Sequence, residues 1–308
     1  MPQKRSCPPV SDATFPGPVD TGRRAVDMAL GENPDLQTLL GSVQSAVPLS
    51  GLTNRVYRVT SPAGSFALRL PRPENAGLID REAEAHNLAL ACEHGLAPPV
   101  LFVDPRSGIL LTRTVAQDDP PKSVTPGELG RVVARLHSAP MRFRGSIDPD
   151  GLVARQRACL AGRPDLVSRF DPLTDMLERL GPVADTHGAV PSHGDLSPGN
   201  VLAATDGPVL IDWEYSAMAS PAWDLAYAIQ EHDFDAMAER DFLDGYEENG
   251  NAITGLRREV LKMKIRCDAV SVLWALGQAV NGNEAADFDA FARTRLERAL
   301  FTCSRLSG

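Results

Sequence analysis

The chain has 308 residues, with 31 Lys+Arg against 40 Asp+Glu and a formal charge of −9. That length suggests two domains or one bilobal unit, able to bury about three quarters of its unfolded surface without staples. Ordinary hydrophobic (43%) and charged (23%) fractions argue against disorder or a fibrous repeat. An acidic balance with no Lys/Arg block argues against nucleic acid as a partner. The charge is unevenly placed: residues 1–189 hold 21 acids and 21 bases, whereas residues 190–308 hold 19 and 10. Such a surplus makes either a solvated helical surface or a basin that attracts a cation. Five scattered cysteines without a C-x-x-C pair give neither a disulfide framework nor a zinc knuckle. The N-terminus lacks an apolar signal core, and no run approaches 18 apolar residues. A cytoplasmic protein without a membrane partner is expected; oligomeric state is not legible.

Residues 1–22, rich in Pro, Ser and Gly, read as a flexible leader. An amphipathic stretch over 24–40 follows, which Gly31 and Pro34 split into two helices. Strand-like runs come at 45–49, 55–60, 65–70, 100–104 and 109–115, with Pro62-Ala63-Gly64 as a hairpin turn. One helix, 79–94, lies between the third and fourth runs; it starts near Asp80 and stops at Gly95. A sheet with a single inserted helix makes an α+β lobe rather than a repeating βαβ fold. This lobe spans 23–116, and a hinge at 117–121 opens a second lobe, 117–308. There the pattern is helical over 126–137, 152–161, 166–180, 221–230, 236–248, 256–280 and 285–304. Two short strands, 200–204 and 209–211, interrupt it and turn at Asp206-Gly207. The expected fold class is α+β and bilobal: a small antiparallel-sheet lobe, a larger helical lobe and a cleft between them.

The chemistry is concentrated in His193-Gly194-Asp195-Leu196-Ser197-Pro198-Gly199-Asn200 and, after a hairpin, Ile211-Asp212-Trp213-Glu214. Phosphoryl transfer from ATP needs one carboxylate for the attacking hydroxyl and hard oxygens for Mg²⁺ on the phosphates. Asp195, Asn200 and Asp212 supply that set, at the spacing of kinase catalytic and metal loops. His193 reads as a support that holds the loop by a hydrogen bond.

These segments resemble the aminoglycoside-phosphotransferase/choline-kinase superfamily, and within it the bacterial choline/ethanolamine kinase branch. The likeness runs from about Leu49 to Arg298. It is carried also by Ser50-Gly51-Leu52-Thr53-Asn54-Arg55-Val56-Tyr57, Phe66-Ala67-Leu68-Arg69-Leu70-Pro71, Ile79-Asp80-Arg81-Glu82 and Trp223-Asp224-Leu225-Ala226. The resemblance implies a protein-kinase-like bilobal fold, with Asp195 as catalytic base and Asn200 and Asp212 as Mg²⁺ ligands. Gly51, Leu52, Thr53 and Asn54 would form the phosphate loop, which lacks the Walker A pattern. Arg69 would replace the third-strand lysine as a fixed cation. Its partner would be Glu82, with Glu84 the alternative and a surface salt bridge the blander reading. Thr112, Arg113, Thr114 and Val115 would meet adenine through their backbone.

The acceptor is a hydroxyl of a small molecule. The stretch 224–248 holds nine acids and one arginine, and carboxylates and aromatic faces hold ammonium groups. By the resemblance, Glu231 and Trp274 would bind the acceptor, joined by Glu214 and Tyr215. Two departures weaken choline itself: Gly277 stands where some members have a second Trp, and Gly194 where choline kinases often carry Asn. The leading expectation is an ATP- and Mg²⁺-dependent kinase for an amine-containing alcohol of choline or ethanolamine type. Thiamine, an aminoglycoside, homoserine or a sugar remain as acceptors, and a nucleotide-binding pseudokinase remains as a different class. A protein kinase is disfavoured by the absence of D-F-G and A-P-E, and a serine hydrolase by the absence of G-x-S-x-G.

Overall fold

The computed structural model describes residues 18–49, 54–72, 79–117, 122–183, 187–248, 255–283 and 286–304. Helix α1 (Pro18–Glu32) begins inside the stretch expected as a leader, and α2 (Pro34–Leu40) follows at once. The break falls at Asn33, whose extended backbone (φ −132°, ψ 91°) is what a following proline favours. Five antiparallel strands complete the first lobe: β1 (Ser45–Leu49), β2 (Asn54–Ser61), β3 (Gly64–Pro71), β4 (Val100–Asp104) and β5 (Ile109–Arg113), in the order β1-β2-β3-β5-β4. Tyr57, Val59, Phe66, Leu68 and Leu111 point to one face and bury Val26, Leu36 and Leu40 of the two helices. Strand β5 stops at Arg113, short of Val115, although the Thr114 amide and hydroxyl still reach the Ser65 carbonyl of β3 (3.3 and 3.2 Å).

Helix α3 (Arg81–Glu93) is capped by Asp80, whose carboxylate accepts from the Ala83 amide at 3.0 Å. It joins the lobes: Leu88 and Ala91, with Leu96 just after the helix, share one core with Trp213, Trp223 and Phe242. Across that junction the Asn87 amide donates to the Ser216 carbonyl at 2.9 Å.

The second lobe is built from α4 (Pro126–Ser138), α5 (Pro149–Cys159), α6 (Pro164–Leu180), α7 (Pro221–Glu231), α8 (Ala236–Glu247), α9 (Leu256–Val280) and α10 (Phe288–Ser304). Helix α4 starts on a full capping box, Thr125 with Glu128. It meets α8 backbone to backbone; a Cβ at Gly130 would lie 2.1 Å from the Phe242 carbonyl. Helix α9 is the spine of the lobe, and its buried ions are paired: Arg266 with Asp150 at 2.8 Å and Lys264 with Glu239 at 2.7 Å. Two short antiparallel pairs carry the site. Strand β6 (Val190–Ser192) pairs antiparallel with β9 (Ala217–Ala219), and β7 (Val201–Ala204) with β8 (Gly207–Leu210). Among the described residues no helix is long and apolar enough to cross a membrane.

Candidate active site

The segment expected to be catalytic runs from the end of β6 into the turn Pro198–Asn200 and then β7. His193 lies fully buried beneath it. One ring nitrogen bonds the Ile211 carbonyl at 2.9 Å and the other accepts from the Asp195 amide at 3.3 Å, so the histidine is the support read from sequence. Burial lowers its pKa, in the same sense as the acceptor role of its second ring nitrogen. Gly194 has φ +86°, and a Cβ there would sit 2.3 Å from the Tyr215 carbonyl, so the close turn needs glycine.

Asp195 and Asn200 come together. The Asn200 amide nitrogen donates to Asp195 Oδ2 and to the Asp195 carbonyl, both at 3.0 Å. Asp195 Oδ1 is buried and finds no hydrogen-bond partner among the described residues. Burial pushes the Asp195 pKa up; His193, Tyr227 and Ser197 beside it offset part of that cost.

Asp212 follows β8 in a left-handed conformation, φ +62°, unusual outside glycine and a common mark of a functional turn. Burial first and the Glu214 carboxylate second push its pKa up to about 7, against the pull of Arg69, 3.5 Å away. Glu84, Asp212 and Glu214 bring one oxygen each within 4.8 Å of one another. A half-buried carboxyl crowded by acids is short of positive charge, and hard oxygens with orphaned valence suit Mg²⁺. Asn200 Oδ1, Asp212 and Glu214 Oε1, the last buried without a hydrogen-bond partner among the described residues, are the atoms present for it. The donor set therefore fits the ion.

The third-strand cation is fixed as expected, but by the other glutamate. Arg69 Nη2 donates to Glu84 Oε2 at 2.9 Å and Nη1 to Oε1, a buried fork. Glu82 is exposed, with its side chain on the outer face of α3. Arg81 and Glu84 lie three apart and share the inner face; Arg81 donates to Glu84 at 2.7 Å and to Glu214 at 3.1 Å. Burial by itself would raise Glu84; the two arginines outweigh it and hold the carboxylate below its usual range. Asn54 extends the network, its amide donating to Glu214 Oε2 at 2.8 Å. Glu214, expected at the acceptor, is thus engaged by Asn54 and Arg81 beside Asp212. Gly51, Leu52 and Thr53 lie outside the described residues.

Thr112 is buried in β5, opposite Ala67 and Val100. Arg113 covers the Phe66 ring at 5.5 Å, and residues 114–117 lead toward the second lobe, where the Thr205 amide meets the Ala116 carbonyl at 3.3 Å.

Helix α7 presents residues 223, 227 and 231 on one face, since they recur every four positions. Trp223 Nε1 donates to the Gly194 carbonyl at 3.1 Å, and Tyr227 stacks on Trp223 next to Asp195. Glu231 follows, close enough for Asp195 to raise its pKa further after burial has done so. Its carboxylate is held by Arg295 at 2.7 Å, with Arg298 at 3.9 Å. Trp274 is half-buried and meets Phe288 and Phe291 edge-on, with centroids at 5.5 and 6.2 Å. Tyr215 is 39% exposed.

The residue that sequence reasoning left without a role is Asp224. It is fully buried and accepts from the His193 amide (2.8 Å), the Gly194 amide (3.0 Å) and His137 Nε2 (3.2 Å). His137 is in turn bonded to the Tyr246 hydroxyl at 2.9 Å. Burial would raise Asp224, but these donors hold its pKa below the usual range. Its presence in Trp223-Asp224-Leu225-Ala226 was the only signal, because its partners lie about thirty and ninety positions upstream.

Comparison with known proteins fits this geometry. The model of the "Phosphotransferase enzyme family" matches residues 45–259. The chain belongs to that family. This phosphotransferase is similar to Protein LicA of Haemophilus influenzae, at 28% identity over 270 residues, 83% of this chain and 80% of the relative. Among solved structures it is similar to a choline/ethanolamine kinase family protein from Mesorhizobium loti (27% identity, TM-score 0.70, covering 91% and 94% of the two chains). It also shares its fold with the choline kinase LicA from Streptococcus pneumoniae (23% identity, TM-score 0.74, covering 92% and 99%). The kinase-like bilobal architecture expected from the motifs is therefore shown.

Proposed function

We propose that this phosphotransferase is an ATP- and Mg²⁺-dependent kinase that phosphorylates a hydroxyl of a small amine-containing alcohol, of choline or ethanolamine type. The observation that carries the reading is the pairing of Asp195 with Asn200 beside a charge-deficient Asp212. Asp195 Oδ1, buried and without a hydrogen-bond partner among the described residues, is the atom that takes the acceptor's proton as its oxygen attacks the γ-phosphorus. The Asn200 amide fixes the other carboxylate oxygen, which sets the direction of Oδ1. Asn200 and Asp212 would hold Mg²⁺, which when bound neutralises phosphate charge and keeps the phosphates in line. Arg69, locked by Glu84, contributes a preorganised cation on the phosphate side. Gly51 to Asn54 would cover the phosphates, and Thr112 to Val115 would meet adenine.

The acceptor reading is supported by the face of α7 that runs from the catalytic loop to Glu231, and by the kinases to which the chain is similar. An ammonium near Glu231 would place its hydroxyl toward Asp195. The test is ADP release with choline, ethanolamine, thiamine, homoserine and aminoglycosides in parallel. Stimulation by an amine alcohol is expected. Mg·ATP binding without stimulation by any acceptor would overturn the proposal in favour of a pseudokinase.

A further inference from the structure

The carboxylate and the indole expected at the acceptor are linked through two side chains of α10. Trp274 packs T-shaped against Phe291, with the ring centroids 6.2 Å apart. The face of Phe291 carries the Arg295 guanidinium, 4.7 Å from the ring centroid. The same guanidinium donates to Glu231 Oε2 at 2.7 Å. An aromatic face beside a largely desolvated carboxylate is the surrounding that holds an ammonium ion. Here a cation of the chain itself already fills it.

We propose that Arg295 is a specificity-determining residue, the resident competitor of the acceptor's ammonium for Glu231. This rests on the reading that Glu231 meets the acceptor's cation. The charges around it support competition. Glu231 and Arg295 are only 13% and 12% exposed, so the pair is weakly screened by water. Arg298 cannot replace Arg295: it lies 3.9 Å from Glu231 and is committed to Asp268, Asp233 and the Gln230 carbonyl. Asp268 is occupied by Arg298 and by the Gln230 amide at 2.7 Å. Without Arg295, Glu231 becomes a buried carboxylate without a close partner, and an incoming ammonium recovers that cost. With Arg295 present, the ammonium must first displace a guanidinium that also gains from the Phe291 face.

The experiment is Arg295→Met, which keeps an unbranched stem over Phe291 and removes the charge. The KM values for choline and ethanolamine are measured by ADP release, alongside the Mg·ATP KM and the melting temperature. Both acceptor KM values should fall about tenfold, the scale of one recovered ion contact, with Mg·ATP KM unchanged. Adding Glu231→Gln should cancel the gain. A folded Arg295→Met enzyme with unchanged or raised acceptor KM overturns the inference. Should that variant not fold, Arg295→Lys supplies the test. Its shorter point charge leaves the Phe291 face, and the acceptor KM should fall about threefold; no fall overturns the inference. Failure of the underlying reading looks different: Mg·ATP binds, yet no amine alcohol is phosphorylated by wild type or variant, and the inference falls with it.

Discussion

Asp224→Asn exchanges one oxygen for an NH₂ group at the most constrained point beneath the catalytic loop. Oδ2 accepts from the His193 amide and His137, while Oδ1 accepts from the Gly194 amide. An asparagine has a single acceptor oxygen. In its best orientation that oxygen serves the Oδ2 side, and its NH₂ then faces the Gly194 N–H. One buried amide without an acceptor costs about 1–3 kcal/mol, and weakening of two charge-assisted bonds adds a further ~1 kcal/mol. A loss of about 2–4 kcal/mol is expected, out of a total of about 5–15 kcal/mol for a typical protein. Function should suffer more than stability, because Gly194 precedes Asp195. A displacement of about 1 Å at the base can cost ~10²-fold in rate. Urea denaturation would measure the first effect, and kcat at saturating Mg·ATP and acceptor the second. A variant within about 0.5 kcal/mol and twofold in kcat of wild type would refute the proposed anchoring role.

The raised pKa of Asp212, about 7, gives a pH dependence with a definite sign. Between the ordinary carboxylate range and pH 7 the folded state holds a proton that the unfolded chain has released, so stability of the metal-free protein should fall as pH rises through that window. Because Mg²⁺ needs the ionised form, its affinity should weaken about tenfold per pH unit below 7; calorimetric titration at pH 8, 7 and 6 would contradict this if affinity stayed flat. Glu84→Gln strips the buried Arg69 of its fork and should destabilise by about 3–5 kcal/mol, whereas exposed Glu82→Gln should stay within about 0.5 kcal/mol. Equal effects in thermal unfolding would contradict the assignment of the pair.

Elements with long patterns or strong punctuation were legible. The helix expected over 256–280 is the helix observed, and Asp80 caps α3 as its position suggested. Strands β6 and β9 were not legible, since three residues carry no periodicity, yet they frame the catalytic segment. Motif chemistry singled out Asp195, Asn200 and Asp212, which the fold brings side by side, because they lie close together in sequence. Glu82 and Glu84 are chemically identical on one helix turn, and only docking of α3 on the sheet decides which faces Arg69. Asp224 and Arg295 act across long separations, the latter 64 positions from Glu231, and nothing local marks such a pairing.

The proposed base can be tested most directly with Asp195→Asn. Nucleotide affinity and thermal unfolding should stay near wild type, because the Asn200 amide retains the Asp195 carbonyl as a partner. Acceptor-dependent ADP release should fall by about 10²–10⁴-fold, the usual contribution of a positioned general base. Turnover within a fewfold of wild type would contradict the account.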